Sequence, residues 1–390
     1  MKYRKVGDTG IEVSALGFGT MRFKDSDNAT EIIDRGMALG INYFDIGGAY
    51  SFKSPEENAE TWVARAIKGR PRDSMVLSAK AQCRPAGNAK QERGLGLSTR
   101  DEMWQAIETS LQRVGVDQFD FYQAWDMSAP EHFEMTCEGD NTPLQALREA
   151  KEQGLIKHIG FTSHGKENDI IEWLQKVPDF RTITVYYNFM DTYCEEALEY
   201  CQANGVGVKI MGPLRGGLLT GESDVFEKYL PELKGVPLQE VALRFLLSYP
   251  AISSVLSGMN EIAHLEENAA VASGDDTMTE EQRQRFVDAF RDLTGGEPLC
   301  TGCRYCQGAC PEGLPVFMLM GLFQLHEVFK LASATQQLSG MAGSARYDAS
   351  KCVACEKCVE ACPQNLPIPE RMERLAAVFE ELAQQKTQKG

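Results

Sequence analysis

Short apolar runs recur along the first three-quarters of the chain, each separated from the next by a stretch with helical spacing. ALGFGTM (15–21), YFDIG (43–47), MVLSAK (75–80) and FDFYQAW (119–125) are followed by IGFTSH (159–164), TITVYYN (182–188), VGVKIMG (206–212) and AISSVLSG (251–258). They are continuously apolar rather than alternating, the habit of strands buried on both faces of a parallel sheet. Between them, TEIIDRGMALG, TRDEMWQAIETSLQRVG and PLQEVALRFLLSY place apolar residues three and four apart, as one face of a helix requires. Eight such strands alternating with helices predict an α/β fold, a (β/α)8 TIM barrel. An open doubly wound sheet is the rival, but the first strand does not lead through G-x-G-x-x-G into a helix.

The pattern changes after TEEQRQRFVDAFRDL, a predicted helix at about 279–293. TGGEP forms a turn-rich linker, and cysteines follow. The expected domains are the barrel over 1–297 and a smaller one over 298–390. The second ends in PERMERLAAVFEELAQQK, an amphipathic helix expected to pack back on this domain or on the barrel. The chain has 390 residues and a formal charge of −16. Such acidity favours neither nucleic acid nor an anionic membrane as partner. The opening MKYRKVGDTGIEVS has no apolar segment of a secretory signal. The apolar stretch LPVFMLMGLF (314–323) is too short to span a bilayer. A cytoplasmic location is therefore expected.

Eight of the twelve cysteines lie after residue 299, so they are a local device rather than a secreted disulfide framework. Cys300, Cys303, Cys306 and Cys310 precede Pro311; Cys352, Cys355, Cys358 and Cys362 precede Pro363. Both sets read C-x2-C-x2-C-x3-C-P, the bacterial ferredoxin spacing, in which the fourth cysteine reaches the other cluster. Two 4Fe–4S clusters follow. One takes Cys300, Cys303, Cys306 and Cys362; the other takes Cys352, Cys355, Cys358 and Cys310. Tetrahedral zinc needs only paired C-x2-C knuckles and leaves the third cysteine unexplained. The insert 311–351, with VFMLMGLFQLHEVFKLA, is expected to form a helix that covers a cluster or serves as a subunit contact. Cys83, Cys137, Cys194 and Cys201 lack such spacing and read as buried bystanders, although Cys83 lies close to Lys80 in the chain.

In a TIM barrel the active site forms at the C-terminal strand ends. Asp45 ends the second run, Tyr50 follows it, Lys80 ends the third and Trp125 the fourth. These neighbours can converge. A tyrosine is a weak acid at neutral pH. A lysine ammonium beside it stabilises the phenolate, and an aspartate holds the lysine charged and in place. Such a tyrosine protonates a carbonyl oxygen as hydride arrives.

Here the chain resembles the aldo-keto reductase superfamily, from YRKVGDTGIEVSALGFGTM to HLEENAA, and the branch with a C-terminal ferredoxin-like domain over its full length. The resemblance implies a catalytic Asp, Tyr, Lys and His. Asp45, Tyr50 and Lys80 match through FDIGGAY and SAK. In YQAW, Trp125 stands where the family has His. An indole N–H donates a hydrogen bond but never titrates, so Trp125 either orients a substrate or fills the space of a lost site. His164, in the place of the family's Asn, is an alternative imidazole, expected to contact cofactor or substrate. His158 reads as structural.

The resemblance also implies a nicotinamide dinucleotide across the barrel mouth. GPLRGGLLTG (212–221) is similar to the loop after strand 7. There Pro213, Leu214, Arg215 and Gly217 would meet the pyrophosphate. SGMNEIAHLEEN (257–268) is similar to the loop that holds the adenosine 2′-phosphate, with Ser257, Gly258, Asn260, Glu267 and Asn268 as candidates. It contains no Lys or Arg, and Glu261, Glu266 and Glu267 make it acidic. It would receive a 2′-phosphate poorly, so NAD(H) is favoured over NADP(H). Ser163 and Asn188 match the family at the nicotinamide end. Thr184 stands where Gln is common, and Met211 where an aromatic stacks.

The leading expectation is an iron–sulfur oxidoreductase acting on a small-molecule carbonyl or alcohol, with Tyr50 as acid/base. Its clusters would relay electrons to or from a redox partner protein. The other reading is an electron-transfer or scaffold subunit whose barrel has lost nicotinamide chemistry.

Overall fold

A computed structural model describes residues 1–390 apart from 84–93, 218, 221–226, 229, 296–298, 301–305, 307, 363–365 and 390. The chain forms two compact units, 1–216 with 242–279, and 217–241 with 280–390. The boundary expected near 297 lies outside the described residues.

The first unit opens with a hairpin, β1 (Tyr3–Lys5) paired antiparallel to β2 (Glu12–Ser14). Eight parallel strands then close into a barrel: β3 (Leu16–Gly19), β4 (Tyr43–Asp45), β5 (Val76–Gln82), β6 (Phe119–Trp125), β7 (Ile156–Ser163), β8 (Phe180–Tyr186), β9 (Gly207–Met211) and β10 (Ile252–Ser257). They run around the barrel in chain order, with β10 closing on β3. The predicted fold class holds, and each apolar run falls on its strand. β5, β6, β8 and β10 are buried almost throughout. The hairpin is the element the apolar pattern does not announce. Val6 and Val13 are fully buried and share a core cluster with Tyr43, Phe121 and Leu256. A seal at the N-terminal end of the strands explains that burial.

Helices follow the strands where the spacing places them. Asp25 caps the helix Ser26–Ala38 by accepting from Asn28 N. Thr99 and Glu102 form a capping box on Arg100–Val114, which ends on left-handed Gly115. Each such cap is worth about 1 kcal/mol.

The second unit is helical. Its helices include Glu280–Thr294, Val316–Glu327, Ala332–Met341 and Ile368–Lys389. The last buries Met372, Leu375, Phe379 and Leu382 and packs on the two before it. Arg374 bonds Glu327 at 2.7 Å, and Phe290 stacks on Phe329 with centroids 4.9 Å apart. Among the described residues no helix is long and apolar enough to cross a membrane.

Candidate functional site

Parallel register brings the expected side chains to one place. Asp45 pairs with Ser78 across β4–β5, and Lys80 with Gln123 across β5–β6. Side chains two residues apart on a strand share a face, so Lys80 stands above Ser78 and Trp125 above Gln123, toward the C-terminal mouth. The Lys80 ammonium bonds Asp45 Oδ2, and both side chains are almost fully buried. Its Nζ lies 5.0 Å from the centroid of the Tyr50 ring and 5.8 Å from that of Trp125. Tyr50 and Trp125 meet edge to face at 5.2 Å. Tyr50 folds back over the strand end because residue 47 is glycine. A Cβ there would lie 3.2 Å from the Tyr50 ring.

Burial by itself pulls the Lys80 pKa down, but Asp45 and Tyr50 more than offset it and hold it above the ordinary lysine value. The lysine is therefore charged throughout the neutral range. For Tyr50, burial pushes the phenol up and Lys80 opposes it, with a net rise above 10.0. The lowering expected from sequence is present as a contribution but is outweighed. In this state Tyr50 keeps its proton.

Gln123 completes the arrangement. Its Nε2 donates to Ser78 Oγ at 2.9 Å and to Asp45 Oδ1 at 3.3 Å, and its Oε1 accepts from Thr184 Oγ1 at 2.7 Å. Both lone oxygens of Asp45 are thus occupied, which fixes the carboxylate facing Lys80. Gln123 is not among the candidates the sequence suggests, and its only signal there is a polar residue within the apolar run FDFYQAW. Beside Trp125, Asp126 has φ of 69°. Left-handed backbone in a non-glycine residue costs of order 1 kcal/mol and recurs at functional sites. Asp126 N donates to Thr162 Oγ1 at 2.8 Å, Ser128 Oγ donates to Asp126 Oδ1 at 2.6 Å, and His164 N donates to Ser128 Oγ at 2.9 Å. This chain of bonds ties the ends of β6 and β7 together.

His164 lies exposed just beyond β7, its ring 5.4 Å from that of Tyr186. Tyr186, also unremarked in the sequence, lies on the backbone of Gly212, where a Cβ would sit 2.1 Å from its ring. An aromatic therefore stands next to the half-buried Met211. Ser163 Oγ accepts from Gly165 N at 2.8 Å. Asn188 is buried, its Nδ2 donating to Asp191 Oδ2 at 3.0 Å and to Gly212 O at 3.2 Å. His158 packs on Phe121 at 5.5 Å, away from these groups in the chain of contacts.

The loops expected to hold a dinucleotide bring more charge than their sequences alone suggest. Arg215, itself left-handed at φ 46°, is buried and pairs through Nε with Asp191 Oδ2 at 3.2 Å. Pro213 is buried beside it, Leu214 is half-buried, and Gly217, at φ 91°, is exposed and begins the second unit. Asn268 Nδ2 donates to Ser257 Oγ at 3.2 Å, and Asn260 O accepts from Asn28 Nδ2 at 3.0 Å. Glu267 is exposed. Glu261 is paired with Lys24, and Glu266 with Arg35 at 2.6 Å. The first helix and its approach thus neutralise two of the three acids. Gly258 lies under the stem of Arg22.

The barrel thiols are inert by placement. Burial pushes Cys83 and Cys201 up to about 12, and Cys137 and Cys194 upward as well.

In the second unit, burial raises the Cys358 thiol, and nearby Cys352, Cys310 and Cys355 raise it further. These are the cysteines that the motif spacing expects to share a cluster, three of one motif with the fourth of the other. Thiols are the ligand type of an iron–sulfur cluster, but among the described residues no three His, Cys, Asp or Glu side chains converge closely enough to hold a metal ion. The loop between them carries two left-handed non-glycine residues, Ala354 at 49° and Glu356 at 60°. Such turns aim backbone N–H groups to one side, as iron–sulfur sites require. Of the other set, Cys303 lies outside the described residues. Cys300 and Cys306 are buried and Cys362 is half-buried. Gln324 holds the Cys300 backbone at both ends, accepting from its N at 2.6 Å and donating to its O at 2.8 Å.

Known proteins resemble the barrel, and a separate family model matches the cysteine repeat. Residues 15–289 match the model of the aldo/keto reductase family, and residues 299–366 that of a 4Fe-4S dicluster domain. An uncharacterized oxidoreductase, YqkF of Bacillus subtilis, is 28% identical over 72% of this chain and 94% of its own length. The NADH-specific methylglyoxal reductase of Escherichia coli is 27% identical, over 69% and 93%. The solved structure of aldo-keto reductase AKR11C1 from Bacillus halodurans, in its holo form, superposes with a TM-score of 0.62 at 27% identity, covering 74% of this chain and 96% of that one. The match spans the whole barrel, and the cysteine repeat has a match of its own. The chain belongs to the aldo/keto reductase family and is an oxidoreductase of that type with a C-terminal 4Fe-4S dicluster domain.

Proposed function

We propose that the barrel interconverts a small carbonyl compound and its alcohol with a nicotinamide dinucleotide, NAD(H) in preference to NADP(H), and that Tyr50 is the acid/base. The observation that carries this reading is the buried Lys80–Asp45 pair beside the Tyr50 ring. A reduced nicotinamide, when bound, supplies hydride to the carbonyl carbon. Tyr50 gives its proton to the carbonyl oxygen and takes one back from water. Lys80, kept charged by Asp45, stabilises the transient phenolate. Gln123 keeps Asp45 turned toward Lys80. Trp125 and His164 shape the mouth, and the indole N–H can orient a polar substrate group but not carry its proton. The eight motif cysteines would hold two cubane clusters, and such clusters would supply one-electron chemistry toward a partner protein.

Two measurements test this. Tyr50→Phe keeps the ring packing and removes only the hydroxyl, so carbonyl reduction should fall about 10²–10⁴-fold. Full activity in that variant would sink the acid/base role. Anaerobic titration with NADH, following cluster absorbance, should bleach the clusters if the two halves are coupled. Binding of neither NADH nor NADPH would favour a barrel that has lost nicotinamide chemistry and serves as an electron-transfer or scaffold subunit.

A further inference from the structure

Three strand ends at the barrel mouth, those of β3, β9 and β10, are spanned by one side chain. Arg22 closes the short turn Thr20–Arg22 that follows β3. Its stem crosses the β10 end so closely that a Cβ on Gly258 would lie 2.5 Å from Arg22 Cγ and 3.1 Å from its Cβ. Its Nη2 reaches the loop after β9, 3.2 Å from where a Cβ on Gly216 would stand. Two glycines in separate loops therefore leave the room that this arginine fills.

The guanidinium is exposed, and among the described residues it makes no ion pair or hydrogen bond. Its cationic neighbours are engaged: Lys24 with Glu261, Arg35 with Glu266 and Arg215 with Asp191. An uncommitted guanidinium laid over bare backbone suits an oxyanion that approaches both surfaces at once. It offers paired N–H donors in a fixed fork, the geometry that matches phosphate. The loops it bridges are the two in which the strand-end geometry of a TIM barrel places phosphate.

We propose that Arg22, supplied from the β3 turn, is an anchor for the pyrophosphate of the dinucleotide. This rests on the nicotinamide reading above. The anchor would hold the pyrophosphate shared by NADH and NADPH, adding a cation where Lys24, Arg35 and Arg215 are already paired with carboxylates.

The test uses full-length, cluster-loaded protein. NADH and ADP-ribose, which keeps the pyrophosphate but has no nicotinamide ring, are titrated calorimetrically at two salt concentrations. Arg22→Gln should weaken both ligands about tenfold or more, the worth of one charge-assisted bond, and flatten the salt dependence. Arg22→Lys should recover part of the loss. Gly258→Ala, which displaces the side chain without removing its charge, should weaken both as well. Wild-type affinity for both ligands in Arg22→Gln would overturn the proposal while leaving the nicotinamide reading intact. So would a loss confined to NADH, because Arg22 would then act on the ring or the substrate. Wild-type protein that binds neither ligand would remove the nicotinamide reading and this proposal with it.

Discussion

Trp125 stands beside the Lys80–Asp45 pair where the family resemblance leads one to expect a histidine. Its ring rests edge-on against Tyr50 and 5.8 Å from the Lys80 ammonium, so it lies against the ion pair. Two roles predict opposite outcomes for Trp125→His. If the indole only fills space, the imidazole should supply a hydrogen-bond donor that titrates, and generic aldehyde reduction with NADH should appear or rise. If the indole builds a pocket for one substrate, native turnover should fall with no general reductase activity gained. Steady-state rates over a panel of aldehydes separate the two. The left-handed Asp126 favours the second outcome. Backbone strain held in place by Thr162 and Ser128 fixes the direction of the neighbouring indole more tightly than mere filling requires.

At the scale of elements, β9 carries a cost that the barrel interior makes plain. Lys209 is fully buried, bonded to Thr182 Oγ1, with its Nζ 4.6 Å from the Phe121 ring centroid. Burial pulls its pKa down from 10.5 to about 7; Asp45 raises it and Lys80 lowers it. Between those values the unfolded chain holds a proton that the native protein lacks. Stability therefore falls as pH drops from 10.5 toward 7 and levels off below. At about 1.4 kcal/mol per pH unit the penalty is on the order of a few kcal/mol. Lys209→Met, similar in length and apolar, should raise Tm at pH 7 and flatten the stability–pH curve between 7 and 10.5. A lower Tm with the slope unchanged would show that the ammonium is compensated. The strand itself was legible because VGVKIMG is apolar around its lysine, and so were all eight barrel strands. Asp45, Tyr50 and Lys80 were legible too, since register at adjacent strand ends brings them together. What sequence did not disclose comes from distant partners. Gln123 gains meaning only opposite Lys80, Arg22 only across Gly258, and the hairpin 3–14 only as a seal over buried Val6 and Val13.

At the scale of the molecule, the two cysteine sets of one repeat meet different surroundings. Cys300 and Cys306 are 7% and 9% exposed, and Gln324 clamps the first of them by its backbone. Cys355 is exposed, and Val353 beside it is 59% exposed. If Cys352, Cys355, Cys358 and Cys310 hold one cluster, as proposed above, its iron would face solvent along the 352–357 loop, while Cys300 and Cys306 of the other set are buried. Small oxidants reach an exposed cluster first, and an exposed cluster also exchanges electrons most readily with a partner. Anaerobically prepared protein should contain about eight iron atoms per chain. Limited ferricyanide should then take one electron from the exposed cluster and release one iron(II), leaving a three-iron species visible by electron paramagnetic resonance and about seven irons. In Cys355→Ser that early phase should vanish or be present before any oxidant is added, with the slower phase of the screened cluster unchanged. Equal rates for both clusters, or an early phase abolished by Cys300→Ser instead, would reverse the assignment of which cluster meets the partner.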